Sequence, residues 1–184
     1  MRDFFFFLLY LRKIELETMN IAHYLDATYL KTAEQAGITL EETKQNVTTL
    51  VKESILNDFK LVMIRAEYVS HAKKLIRDAN SNVLVGTVVG FYEGTTPVDE
   101  KIEEATKAIA NNVDELDYVV NYKAFKKKQV NLVKAEVYMG TKIALENNKV
   151  AKWIIEIAAL TTEEIISITQ LIRDTVVANF DKEK

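Results

Sequence analysis

The chain has 184 residues, 48% of them hydrophobic, which supports one domain with a proper core rather than two. Its formal net charge is -3 with a pI near 5.6, and its lysines are spread along the chain rather than massed, which argues against a nucleic-acid or anionic-membrane partner. Without cysteine there is no disulfide, thiolate chemistry or cysteine-bound metal, and His23 and His71 alone supply a histidine metal site poorly; a reducing, cytoplasmic setting is the expectation.

The N-terminus reads "MRDFFFFLLYLRKIELETMN", an apolar run from Phe4 to Leu11 flanked by Arg2, Arg12 and Lys13. A membrane span needs about 20 apolar residues, so this run is too short to cross. It has the length of a signal-peptide core, but Asp3 interrupts the basic leader and no small-x-small cleavage site follows before Met19. Residues 1–18 are therefore read as an extension outside the domain, and the domain as residues 19–184.

From Met19 onward two kinds of segment alternate. "AHYLDATYL", "FKLVMIRA", "NVLVGTVVGF", "ELDYVVNY" and "AKWIIEIAAL" are short runs rich in aliphatic and β-branched residues, and are predicted as strands. Each is followed by a stretch with helical spacing: "TLEETKQNVTTLVKESILN", "EYVSHAKKLIRDAN", "VDEKIEEATKAIANN", "VNLVKAEVYMGTKIALENN" and "TTEEIISITQLIRDTVVANF". Thr39 with Glu42, and Thr161 with Glu164, are capping-box pairs that mark two of the helix starts.

Strand–helix alternation with nearly continuous apolar strands predicts a parallel sheet covered by helices, either doubly wound or closed into an eight-fold barrel. An open doubly wound sheet is apolar on both faces. Here one face of several strands is polar: Asp26 and Thr28 in the first, Glu115 and Asp117 in the fourth, Lys152 and Glu156 in the fifth. The interior of a barrel near its catalytic rim has this character, because barrel enzymes draw their active groups from the carboxyl ends of several strands. The five glycines form no dinucleotide fingerprint, since "GTVVGFYEG" has the wrong spacing. The expected fold is thus a TIM-type (β/α) barrel, incomplete, comprising about the first five strand–helix units of a fold that typically takes about 250 residues. On this reading Trp153 and Ile155 face the outer helices and Lys152 faces the interior.

Lys152 stands out as a lysine inside a strongly apolar strand. Such a lysine serves as a Schiff-base nucleophile, supports a neighbour's charge state, or forms a structural ion pair, here with Glu156 or another acid. Asp117, between Leu116 and Tyr118, reads either as a general acid/base or as a hydrogen-bonded structural acid. Asp26, followed by Ala27 and Thr28, serves equally well as a turn residue.

"YLDATYLK", "VGTVVGFYEGTT", "DELDYVVNYKAF" and "KWIIEIAALTTEE", in that order and at those intervals, resemble deoxyribose-phosphate aldolase, a class I aldolase family of the barrel type. The resemblance runs from about Met19 to the end of the chain. It implies reversible cleavage of the sugar phosphate 2-deoxyribose 5-phosphate to glyceraldehyde 3-phosphate and acetaldehyde, with no metal or organic cofactor. It further implies that Asp117 relays protons at the carbinolamine and enamine, that Lys152 belongs to the charge network without being the Schiff-base residue, and that Asp26 and Thr28 line the substrate pocket.

The sequence departs from the family pattern at Tyr92, where the family often has proline, and at Asn112 and Val113, where Gly-Ala usually precedes the fourth strand. The family's nucleophilic lysine, in a Lys-Thr/Ser-Ser-Thr-Gly run on a sixth strand, and its partner lysine on a seventh would both follow Lys184, as would the glycine-rich phosphate loops. Lys182 and Lys184 have no strand around them. The chain as given is therefore expected to be catalytically silent, the alternative being a non-catalytic α/β interaction module. Five parallel strands of a barrel also leave two unpaired edges. Association or poor solubility of the isolated chain is expected, and a monodisperse, cooperatively melting monomer in light scattering would refute it.

Overall fold

The computed structural model describes residues 20–180; the run Phe4–Leu11, the extension over residues 1–18 and the tail 181–184 lie outside the described residues. Five strands, β1 (Asp26–Tyr29), β2 (Leu61–Ile64), β3 (Leu84–Val89), β4 (Glu115–Val119) and β5 (Val150–Ile154), form one parallel sheet in the order β1-β2-β3-β4-β5. The helices are α1 (Ala33–Ala36), α2 (Leu40–Leu56), α3 (Val69–Asp78), α4 (Val98–Ala110), α5 (Tyr122–Lys126), α6 (Val130–Glu146) and α7 (Thr162–Phe180). Each new strand adds on the same side of the last, without the order reversal of a doubly wound sheet. Because parallel crossovers keep one hand, this order stacks the helices on one face and leaves the other face concave, as in an arc of a (β/α) barrel.

The helix-facing side holds the main core. Val62 and Ile64 of β2, Val85 and Val89 of β3, and Leu116 and Tyr118 of β4 meet Val47 and Val51 of α2, Val69, Ala72 and Ile76 of α3, and Ala105 and Ala108 of α4. The spacing of two along the strands and of three or four along the helices is what places these side chains on facing surfaces. Trp153 faces outward as expected, stacked on Tyr118 with ring centroids 4.8 Å apart and donating its indole N–H to Thr141 Oγ1 at 3.2 Å. A side chain at Gly140 would press on this pair, since its Cβ would lie 3.0 Å from the Trp153 ring.

Both expected capping boxes form, Thr39 with Glu42 and Thr161 with Glu164, and a third joins Thr32 to Gln35. All five strands are shorter than their apolar runs. Ile21–Tyr24 is a 3-10 turn, Tyr122 already begins α5, and the chain leaves β5 after Ile154. Glu156 then takes a left-handed conformation, φ 55°. Strand alternation therefore does not carry it onto the face of Lys152.

The scarcity of glycine is explained at the helix ends. After α2, α3, α4, α5 and α6 the chain turns through Asp58, Asn80, Asn112, Lys128 and Asn148, all with φ between 52° and 64°. In each case the next amide reaches back five residues to a helical carbonyl, as Val113 N does to Ala108 O at 3.2 Å and Lys149 N to Ala144 O at 2.8 Å. This is a Schellman stop, whose left-handed residue is usually glycine and sometimes asparagine. Asn112, a departure from the Gly-Ala pattern, thus keeps the backbone conformation that the glycine would supply. Asn112→Gly is expected to change stability by no more than about 0.5 kcal/mol, whereas Asn112→Val, β-branched at positive φ, should cost about 1–2 kcal/mol in thermal unfolding.

Candidate active site on the concave face

Strand alternation sends Asp26 and Thr28 of β1, Leu61 and Met63 of β2, Gly86 and Val88 of β3, Glu115 and Asp117 of β4, and Lys152 and Ile154 of β5 to the concave side. Leu61, Met63 and Val88 pack there with Leu30, Leu84 and Ile154. The Met63 side chain lies across β3, where a Cβ on Gly86 would come within 2.5 Å of its Cε. The charged residues sit beside this apolar patch, so their fields are less screened than on an open surface.

Lys152 is the hub. Its Nζ donates to Asp26 Oδ2 at 3.0 Å and lies 3.0 Å from Glu115 Oε2 and 3.2 Å from Asp117 Oδ1. Those last two oxygens are buried and close to the cation, but off the line of a hydrogen bond. Register explains part of the grouping, because Asp117 is the direct β4 partner of Lys152, and Glu115 stands two residues below it on the same face. The contact with Asp26 joins the first strand to the fifth, 126 residues apart, across the hollow of the curved sheet. Lys60, just before β2, holds the other Glu115 oxygen at 2.9 Å. Glu156 takes no part in the salt bridges of Lys152 among the described residues, so the structure brings together Asp26, Glu115, Asp117 and Lys152 and leaves Glu156 aside.

Two cations facing three carboxylates leave the cluster one negative charge in excess. Burial raises the carboxyl pKa of Asp117 above the ordinary aspartate value, and the like charges of Glu115 and Asp26 add to this; Lys152 opposes the rise without cancelling it. Burial works against the charge on Lys152, but the close carboxylates of Glu115 and Asp26 and the charge of Asp117 outweigh it and hold the ammonium well above the usual lysine range. A lysine held protonated in this way is no nucleophile. The pair instead provides a fixed cation beside a carboxyl that can carry a proton.

Thr28 stands apart from the ion cluster. Its hydroxyl donates to Asp26 O at 3.2 Å, and the residue lines a cavity of about 660 Å³ together with Leu30, Lys31, Gln35, Phe91 and Tyr92. This cavity opens at the carboxyl ends of β1 and β3, the end where barrel enzymes place their sites. Glu115 and Lys60 are members of the cluster that sequence reasoning did not single out. Glu115 was visible as the second acid on the Asp117 face, whereas Lys60, at the start of the run "FKLVMIRA", lies just before β2.

Among the described residues no group of histidine, aspartate and glutamate is arranged to hold a metal ion, and no helix is long and apolar enough to cross a membrane. Because the folded state raises the Asp117 pKa, it favours the protonated carboxyl, and that contribution is lost as pH rises through the folded-state value. Asp117→Asn should therefore leave the melting temperature at pH 7 unchanged or higher, with the gain vanishing in acid. Lys152→Met removes the shared cation from three carboxylates. With allowance for the third of Lys152 that is exposed, it is expected to cost about 1–3 kcal/mol at pH 7 in denaturant unfolding.

No protein-family model matches the chain. Among curated relatives it is 35% identical to the deoxyribose-phosphate aldolase of Thermococcus kodakarensis over 155 residues, 84% of this chain and 66% of that protein. It is 33% identical to the Lactiplantibacillus plantarum enzyme, covering 68% of it, and 37% identical to that of Mycoplasma mycoides subsp. mycoides, covering 72%. Those alignments take in 85% and 83% of this chain. A solved structure described as a putative deoxyribose-phosphate aldolase from Coccidioides immitis superposes with a TM-score of 0.74 at 30% identity, over 86% of this chain and 58% of that one. The aldolase from Aeropyrum pernix, described as tetrameric, gives 0.67 at 24% identity over 85% and 59%, a likeness of fold. The chain spans about two thirds of the length of the first of these curated relatives. With five parallel strands in barrel order and this degree of identity across most of its length, the chain belongs to the deoxyribose-phosphate aldolase family.

Proposed function

We propose that residues 19–184 are the first five strand–helix units of a Schiff-base aldolase that cleaves 2-deoxyribose 5-phosphate to glyceraldehyde 3-phosphate and acetaldehyde. The observation that carries this reading is the cluster on the concave face, in which a partly buried Asp117 with a raised pKa stands 3.2 Å from a Lys152 held charged. In an iminium mechanism a lysine amine on another strand adds to the substrate aldehyde, and water is lost from the carbinolamine. The C2–C3 bond then breaks as the C3 hydroxyl gives up its proton and the bonding electrons pass into the iminium, leaving an enamine. Each of these steps moves a proton. A carboxyl whose pKa is raised above the ordinary aspartate value holds and returns a proton more readily in both directions, and Lys152 balances its charge. Thr28 lines the cavity beside Phe91 and Tyr92, which receives the substrate, and Asp26, bonded to Lys152, belongs to the substrate pocket only as the family resemblance implies.

Lys152 is excluded as the nucleophile by its three carboxylates, so residues 1–184 alone supply the proton-relay half of the site and are expected not to turn over substrate. The reading requires no cofactor. The outer edges of β1 and β5, unpaired among the described residues, and the tetramer described for the Aeropyrum aldolase support self-association as part of the same reading.

The test joins residues 19–184 to the C-terminal third of the Thermococcus kodakarensis relative. Borohydride in the presence of 2-deoxyribose 5-phosphate should trap a covalent adduct, and release of glyceraldehyde 3-phosphate should be measurable in a coupled assay. Asp117→Asn should lower kcat by about 10²-fold or more, in the range of a lost general acid/base. Trapping and turnover with a different sugar phosphate, but not with this one, would point to another barrel lyase. A folded chimera that forms no adduct with any sugar phosphate would favour the interaction module.

A further inference from the structure

Lys101 of α4 and Glu136 of α6 form the one ion pair among the described residues with both partners almost fully buried, at 1% and 2% side-chain exposure. They lie on the helix side of the sheet, away from the concave cluster. The Lys101 ammonium donates to Gly94 O at 2.8 Å, to Val119 O at 2.7 Å and to the Glu136 carboxylate, which uses all three of its protons. The other Glu136 oxygen accepts the Asn121 N–H at 3.2 Å. The pair therefore grips two segments at once: the turn after β3, and the end of β4 with the residues that follow it.

That turn fits closely around the lysine. Gly94 N donates to Gly90 O at 2.9 Å, and both glycines have positive φ, 64° and 69°. A Cβ on Gly90 would lie 2.5 Å from Lys101 Cε, and one on Gly94 would lie 2.3 Å from the Val120 carbonyl. Between the two glycines the turn carries Phe91 and Tyr92 into the wall of the cavity shared with Thr28. On the far side of Phe91 the Arg65 guanidinium sits 5.0 Å from the ring, itself fixed by donating to Leu30 O at 2.8 Å.

Burying two ions costs several kcal/mol each, and an apolar pair of similar volume commonly stabilises a core as well or better. An apolar pair cannot hold two loop carbonyls. We infer that Lys101 is a positioning residue: together with Glu136 it fastens the Gly90–Gly94 turn to the end of β4 and so fixes Phe91 and Tyr92 in the cavity wall. The importance of that wall rests on the proposed substrate pocket, but the tethering does not.

The experiment uses the full 184-residue chain labelled with 3-fluorotyrosine, the Tyr92 line being assigned by its loss in Tyr92→Phe. In the unaltered chain a Lys101 Nζ resonance protected from solvent exchange at pH 7 is expected, and its absence overturns the inference without any variant. The double substitution Lys101→Met with Glu136→Gln leaves no unpaired buried charge, and the Gln oxygen keeps the Asn121 N–H satisfied; Lys101→Met with Glu136→Leu is the second version should the first not fold. Either one, melting cooperatively, should shift the Tyr92 line and speed proteolytic cleavage between residues 90 and 94 about tenfold, as local opening of one segment would. A Tyr92 line and cleavage rate unchanged from the parent would show that the pair merely fills the core, and would overturn the inference. A positive result here with a chimera that forms no adduct would leave the tether standing and remove the aldolase reading.

Discussion

The ammonium group of Lys152 reaches three carboxylates on two other strands, and the organisation of the concave face depends on it. Its bond to Asp26 spans from β5 to β1 across the hollow of the sheet, which is possible only because successive right-handed crossovers curl the sheet toward its polar side. Take the cation away and Asp26, Glu115 and Asp117 face one another beside an apolar patch with only Lys60 to balance them. The excess negative charge that remains even with Lys152 present falls on Asp117, the carboxyl whose burial raises its pKa. The cluster thus sets two chemical states: a lysine that its carboxylates keep charged, and an aspartate that burial makes hold its proton more tightly than an ordinary aspartate.

The opposite face of the sheet shows a different use of charge. On the concave side Lys152 and Asp26 keep about a third of their side chains exposed to solvent; on the helix side Lys101 and Glu136 are shut away, and Lys101 gives every donor to a neighbour that needs fixing. The first arrangement suits proton transfer, since its members exchange with water. The second suits geometry, since two loop carbonyls and a loop amide converge on one rigid pair. The two arrangements meet at the carboxyl ends of β3 and β4, where the turn held from outside forms part of the cavity above the cluster held from inside.

The repeated Schellman stops explain how a chain with so few glycines ends its helices. At each of the four returns from helix to strand the backbone passes through the left-handed region, and Asn or Asp, whose short side chain bears the cost better than other L-residues, occupies that position; Lys128 does so between α5 and α6. Asn112 is therefore a change of residue without a change of path, and the strand it precedes keeps Glu115 and Asp117 in register with Lys152.

The sequence by itself determined the alternation of strand and helix, the two capping boxes, the outward face of Trp153 and the inward face of Lys152, because all of these follow from local periodicity, which is written in adjacent residues. It also made Asp117 and Lys152 candidates, as charges in apolar strands. It did not determine where strands end: Glu156 continued the alternation on paper, while the chain left β5 at Ile154. It did not identify the partners of Lys152, of which Asp26 is 126 residues away, nor Lys60 as the second cation on Glu115. Lys101 and Glu136 looked like ordinary charges on helices. Only packing α4 and α6 against the ends of β3 and β4 buried them, because burial and ion pairing are properties of how elements meet and not of the elements themselves.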